Sequence, residues 1–281
     1  MKKSYLIIAL IVVVAIVGYL TVSGGKNAAL PDLSALDKIT VVAREEGSGT
    51  KEAFKVLVGT SEKGVNKIAA STAQAVEITA SDKNAIGYAA LNALEGANVK
   101  ALVIDGVAAT RENVGNRKYP LCREYLIAYK GELSELEVDL LAYIHGAGQK
   151  IAAEHATPIA KVTSFLSNKA EGSIKISGSS SAAPLVEELV RDYAKYNPNA
   201  KITVEVSDST AGINSALRGD CDLAMSSRPL KEYEAELLET QAIASDAIAV
   251  IVNAESPLTE LSTKQVKTIY DGSVESWKDL K

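Results

Sequence analysis

Cysteine and histidine are nearly missing from the chain, with two of each in 281 residues. Cys122 and Cys221 can form at most one bridge, so a disulfide framework and a Cys-rich zinc site are excluded. A single bridge and two separate buried thiols both remain open. His145 and His155 fall on or near helical stretches, away from any Ser-rich turn, and leave little for a metal site or a Ser-His-Asp site. Aromatics are 5%, with one Trp and two Phe, so the core is expected to be mostly Ala, Val, Ile and Leu. Basic residues are outnumbered, 30 Lys+Arg against 35 Asp+Glu for a formal net charge of -5. That argues against a nucleic-acid partner, which would call for a basic face. Any anion site must be a local arrangement of donors rather than a product of net charge. A Gly-x-Ser-x-Gly elbow, a His-Glu-x-x-His helix and a Walker loop are all lacking. Gly49-Thr50-Lys51 resembles a P-loop tail, but the upstream glycine spacing is wrong. No enzymatic activity, metal or cofactor is expected.

What is present is ordinary globular composition, 47% hydrophobic and 23% charged, long enough for one large domain or two compact lobes. Met1-Lys2-Lys3 precedes an uncharged run over 5–22. Eighteen helical residues span about 27 Å, close to a bilayer core. Residues 1–22 therefore read as a signal peptide or, preferably, an uncleaved membrane anchor. Lys2 and Lys3 would keep the N-terminus cytoplasmic and place the rest outside. Residues 23–37 read as a tether.

From Lys38 strands and helices alternate. Strands are expected over 39–43, 75–79, 85–88, 99–104, 121–129, 174–176, 202–206, 222–225 and 247–252. Helices are expected over 51–58, 134–145, 149–154, 183–196, 213–217, 233–240 and 263–269. A polar stretch over 166–172 reads as a linker between 38–165 and 173–281. The alternation predicts an α/β fold with largely parallel sheets.

One arrangement recurs three times: a short apolar strand enters a Ser/Thr/Gly turn that opens a helix. The turns are Gly47-Ser48-Gly49-Thr50, Gly178-Ser179-Ser180-Ser181 and Ser209-Thr210-Ala211-Gly212. The first N–H groups of a helix lack internal partners and carry the positive dipole end. Ser and Thr add hydroxyl donors, and Gly admits close approach, so such a turn suits an oxyanion. Singly, each is a plain helix cap. Three at strand C-terminal ends, where ligands of open α/β sheets collect, point to an anion site. Arg44 precedes the first turn and can fork two oxygens, or else pair with Glu45 or Glu46. Arg228 is a second cation at a strand end.

These motifs resemble the phosphate-binding proteins of phosphate ABC importers, a branch of the two-lobed periplasmic-binding-protein class. The similarity covers nearly everything from Lys38 onward. Residues 173–281, with ISGSSSAAPLVEEL, VSDSTAGINSALRGDCDLAMSSRPL and IYDGSVESWKDL, resemble the family's N-terminal half. Residues 38–165, with ITVVAREEGSGTKEAF, NAIGYAAL and YPLCREYLIAY, resemble its C-terminal half. The resemblance thus implies a circularly permuted order, or a fragment of a tandem array, and admits a domain-swapped dimer. It implies two lobes, one combining roughly 99–165 with 173–246 and the other roughly 38–98 with 247–281, with inorganic phosphate held between them outside the membrane and delivered to importer permease subunits. It assigns phosphate contacts to Ser180 and Ser181, to Ser209, and to Arg44, Ser48, Gly49 and Thr50. Ser227 stands where many members carry an Asp that accepts the proton of hydrogen phosphate, so another oxyanion is a rival ligand. Glu46 is a substitute acceptor if it is not paired with Arg44. A membrane-tethered sensor or scaffold without transport and a phosphatase are further rivals.

Overall fold

The computed structural model describes residues 30–281. The expected signal peptide or anchor over 1–22 and the first part of the tether lie outside the described residues. Among the described residues no helix is long and apolar enough to cross a membrane. In chain order the elements are β1 (Thr40–Arg44), α1 (Gly49–Val58), β2 (Lys67–Ala69), α2 (Thr72–Ser81), β3 (Ala85–Ala90), β4 (Val99–Ala101), β5 (Val103–Ile104), α3 (Arg111–Gly115), β6 (Cys122–Tyr129), α4 (Glu135–His145) and α5 (Gln149–His155). There follow β7 (Gly172–Ser179), α6 (Ala183–Tyr196), β8 (Ala200–Ser207), α7 (Ser209–Arg218), β9 (Leu223–Ser226), α8 (Glu232–Ala235), β10 (Glu239–Asn253), β11 (Glu260–Leu261) and α9 (Thr263–Tyr270).

β10 belongs to both lobes. Its second half pairs with β3 and β4, and its first half, Glu239 to Ala247, pairs with β6. β1 lies parallel to β2 and β3 in one lobe, and β7 lies parallel to β8 and β9 in the other. The sheets are therefore mixed rather than largely parallel, because β10 is antiparallel to β3, β4 and β6, and β6 to β9. One lobe comprises about 31–121 with 247–281, and the other is the continuous stretch 122–246. The expected lobe boundary at 99 is thus corrected: β4 pairs with the Ile251–Asn253 end of β10, and β5 pairs with β11. Alternation along a chain marks a strand without naming its partner.

Two further expectations are overturned. Residues 75–79 are not a strand but lie within α2, which Ser71 caps by accepting from Gln74 N at 3.1 Å. Ala75, Val76 and Thr79 are buried at helical spacing. Residues 233–240 are helical only through Ala235, because Glu239 already pairs with Tyr129 in the sheet. The 99–104 strand is split at Leu102, whose N–H donates to Val250 O at 2.8 Å.

The core is richer in aromatics than the low overall content suggests. Trp277, Phe54 and tyrosines 88, 119, 125, 143, 193 and 270 are all fully buried. Phe54 stacks on Tyr88 with centroids 4.0 Å apart. Each buried phenol finds a partner, as burial demands: Tyr270 donates to Val42 O at 3.0 Å and Tyr193 to Asp139 at 2.6 Å. Asp139 also accepts from Ser167 Oγ at 2.7 Å and Asn168 N at 2.8 Å, which fastens the linker to α4. Cys122 and Cys221 are unpaired. His145 is half-buried against Ala242 O at 2.8 Å, and burial lowers its pKa.

Candidate anion-binding cleft

The three Ser/Thr/Gly turns converge from the two lobes. β1 delivers the Glu45–Ser48 loop and α1 from one lobe; β7, β8 and β9 deliver the other loops at their C-terminal ends, as in open α/β sheets. Each helix start is built differently. Ser48 is the N-cap of α1, its hydroxyl accepting from Lys51 N at 3.3 Å, so its own proton stays free to donate. Asp208, not Ser209, caps α7, accepting from Ala211 N at 2.8 Å. Ser209 opens the helix, with its Oγ accepting from Ser227 N at 3.1 Å. α6 starts after Ala182, whose side chain makes no cap hydrogen bond.

The lobes touch across these turns. Arg44 Nη2 donates to Ser180 Oγ at 3.0 Å, and Thr50 Oγ1 donates to Ser181 Oγ at 3.3 Å. Thr210 N donates to Gly47 O at 3.2 Å. Ser179 Oγ lies 3.0 Å from both Ser181 Oγ and Ser227 Oγ, and Ser209 Oγ lies 3.3 Å from Ser227 Oγ. A Cβ on Gly49 would sit 2.2 Å from Ser209 Oγ, so only glycine admits this approach. All eight residues singled out from the sequence, Arg44, Ser48, Gly49, Thr50, Ser180, Ser181, Ser209 and Ser227, are therefore brought together. All but Ser180 are buried.

Three buried arginines share one design: each donates to a loop hydroxyl on one side and to its own carboxylate on the other. Arg44 reaches Ser180 and Thr72, the latter at 2.7 Å, and forks Glu45 at 2.8 and 2.7 Å. Arg123 reaches Thr50 at 2.6 Å and holds Asp246 at 3.0 Å. Arg228 reaches Thr210 at 3.2 Å and forks Glu234 at 2.7 and 2.9 Å. Arg228 is thus not a solvated cation, and its buried Nε–H has no protein partner among the described residues. Because every guanidinium is matched by a carboxylate, the cleft presents directed donors rather than net positive charge. Glu46 pairs with Lys51 and not with Arg44. Behind the loop, Arg44 N donates to Tyr88 Oη at 3.2 Å, and Tyr88 donates to Glu62 at 3.0 Å. Burial pushes the Glu62 carboxyl up.

Thr72, Arg123 and Asp246 were missed by sequence reasoning, whereas Ser179 and Thr210 lay in the predicted turns without being singled out as contacts. Of those missed, two carried a signal. Asp246 is the single charge between Glu239 and Glu255, and Arg123 falls beside Glu124 in an otherwise apolar strand; a buried charge needs a partner. Thr72 was hidden by reading 75–79 as a strand.

A sequence profile described as a PBP superfamily domain matches residues 163–281. Over 277 residues the chain is 34% identical to phosphate-binding protein PstS 2 of Streptococcus pneumoniae, covering 94% of this chain and 95% of that one. The chain belongs to the PstS family of phosphate-binding proteins. Its fold matches the crystal structure of a phosphate-binding protein of a phosphate ABC transporter from Streptococcus pneumoniae, with a TM-score of 0.71 and 32% identity over 87% of this chain and 100% of that one. The PstS protein of Staphylococcus haemolyticus is 37% identical over 118 residues, 39% of this chain and 37% of that one. PstS membership agrees with the family that the Ser/Thr/Gly turns suggest.

Proposed function

We propose that the chain is an extracytoplasmic binding protein that captures inorganic phosphate between its lobes and delivers it to the permease subunits of an ABC importer. The observation that carries this reading is the meeting of Arg44 and Thr50 from one lobe with Ser180 and Ser181 from the other. The hydroxyls and the Gly49 and Thr50 N–H groups around that meeting point can donate to an oxyanion. Arg44 would exchange Glu45 for phosphate oxygens; Ser48, Gly49 and Thr50 would donate from the start of α1, and Ser180, Ser181, Ser209 and Ser227 from the opposite lobe. Phosphate would hold the lobes together through contacts that exist only in the closed state. The chain acts as a binding protein rather than an enzyme.

The permuted order of halves belongs to this proposal. Two observations support it. Trp277 N donates to Asp37 O at 3.2 Å and Ile39 N to Glu275 O at 2.8 Å, so the two ends of the fold adjoin. The staphylococcal similarity stops at 118 residues, whereas the pneumococcal one runs through 277. On this reading 38–165 and 173–281 are the exchanged halves, and 1–22 is the signal peptide or the membrane anchor.

Ser227 favours a second reading, another oxyanion, because no carboxylate stands at that position to accept a ligand proton. Calorimetric titration of the purified chain with phosphate and then sulfate, with its mass in solution measured, tests both. One-to-one phosphate binding that Arg44→Ala weakens supports the first reading. Heat with sulfate alone favours the second. No heat with either anion, from a folded sample, overturns both.

A further inference from the structure

Arg123 lies outside the turns that the family resemblance assigns, yet its guanidinium enters the cleft. It projects from β6 directly opposite Asp246 in the β6/β10 register, where the chain passes between lobes. The Asp246 carboxylate accepts from Arg123 Nε at 3.3 Å, from Nη2 at 3.0 Å and from Tyr125 Oη at 2.8 Å. The Tyr125 ring also lies under the guanidinium, 5.2 Å from centroid to Cζ. With side chains only 3% and 2% exposed, the pair is held from three sides. The remaining donor, Nη1, points across the cleft to Thr50 Oγ1 at 2.6 Å.

We propose that Arg123 is a positioning residue that makes Thr50 a donor toward the bound anion and sets the direction of the hydroxyl chain along the cleft floor. This inference rests on the phosphate reading of the cleft. A guanidinium can only donate, so Thr50 Oγ1 must accept from it. The single Thr50 proton is then left for Ser181 Oγ, 3.3 Å away, or for an anion oxygen that replaces it. A row of hydroxyls has no inherent direction, and an obligate donor at one end supplies one. From Thr50 the chain runs through Ser181 and Ser179 to Ser227, with successive oxygens 3.3, 3.0 and 3.0 Å apart. Asp246 balances the charge of Arg123, so its contribution is orientation rather than added positive potential. The contact also joins the lobes, since Arg123 belongs to one and Thr50 to the other.

The test is phosphate calorimetry on the full chain and four variants, with thermal unfolding of each. Arg123→Met/Asp246→Asn removes the guanidinium without leaving a buried charge unpaired. Thr50→Val leaves the Arg123–Asp246 pair intact and removes only the hydroxyl. Each is expected to lose about tenfold in affinity, the worth of one hydrogen bond to a charged ligand. Because Arg123 acts through Thr50, the combination of all three substitutions is expected to be no weaker than Thr50→Val alone. Thr50→Ser, which keeps the hydroxyl, is expected to stay near wild-type affinity. A purely structural Arg123 would lower the unfolding midpoint and leave the affinity of the folded protein unchanged, which overturns the proposal. Losses that multiply in the combined variant also overturn it. If wild type binds phosphate and the paired variant binds equally well, only the role of Arg123 falls. If folded wild type gives no heat with phosphate, the reading of the cleft falls and this inference with it.

Discussion

Arg44 Nη2 lies 3.0 Å from Ser180 Oγ, although 136 residues separate the two in sequence. The contact ties the end of β1 to the end of β7, and it depends on a planar fork that also reaches Thr72 and Glu45. Lysine carries the charge but offers a point donor that cannot serve those directions together. Arg44→Lys is therefore expected to weaken phosphate binding by about ten- to a hundredfold, about 1.5–3 kcal/mol. Calorimetry checks it, and unchanged affinity would show that charge alone suffices.

Gly49→Ala acts on closure. Its Cβ would meet Ser209 Oγ at 2.2 Å and Ser227 Oγ at 2.6 Å, both on the opposite lobe. Overpacking of this kind costs about 1–3 kcal/mol. The cost should fall on the closed state, so phosphate affinity drops while the unfolding midpoint without ligand stays near wild type. Small-angle scattering with and without phosphate would show a variant that closes less fully.

Arg228 and Glu234 form a buried ion pair, with side chains 3% and 0% exposed. Arg228→Met strands a carboxylate and is expected to cost about 3–5 kcal/mol in urea unfolding. Arg228→Met/Glu234→Leu removes both charges and should cost less than the single change. The reverse order would show that the pair stabilises the fold outright.

Asp271 sets part of the acid limit. Burial draws its carboxyl up, but hydrogen bonds from Lys267, Ser61 N–H and the Thr60 and Ser61 hydroxyls outweigh it and hold the group below the ordinary carboxylate range. A lowered folded pKa contributes stability that is fully present above the unfolded value, near 3.8, and is lost as pH falls toward the folded value. The midpoint difference between wild type and Asp271→Asn should therefore be constant near neutrality and shrink below about pH 4. A difference independent of pH would refute the linkage.

Ser227→Asp would place a carboxylate where wild type has a hydroxyl, with Oγ 3.0 Å from Ser179 and 3.3 Å from Ser209. A carboxylate accepts the proton of hydrogen phosphate and opposes the lone pairs of sulfate. The substitution is expected to raise the phosphate-to-sulfate preference by about tenfold or more, a hydrogen bond gained on one side and a repulsion added on the other. Competition of the two anions in calorimetry measures it.

Much of the fold is legible because the chemistry is local. α6 runs over the expected Ala183–Tyr196, and Ser262 caps α9 within three residues of its partner. The Ser/Thr/Gly turns are legible for the same reason, since a strand end, a flexible turn and a helix start are contiguous. Legibility fails where a residue's state depends on a distant partner. Glu239 is extended because it pairs with Tyr129, and β4 joins its lobe because it pairs with the end of β10. The burial of the tyrosines was not legible because each phenol is satisfied by a group remote in sequence, such as Tyr119 by Ile248 O at 3.1 Å.

The sequence by itself determined an alternating α/β chain with donor-rich turns at strand ends, because periodicity, caps and glycine act within a few residues. Only the tertiary structure decided that these turns face one another and where the lobes divide. It also decided that Arg123, Asp246 and Arg228 stand buried beside the loop hydroxyls. A guanidinium buried away from water needs a carboxylate beside it; Arg44 has one next in sequence in Glu45, but Arg123 meets Asp246 only in the folded chain.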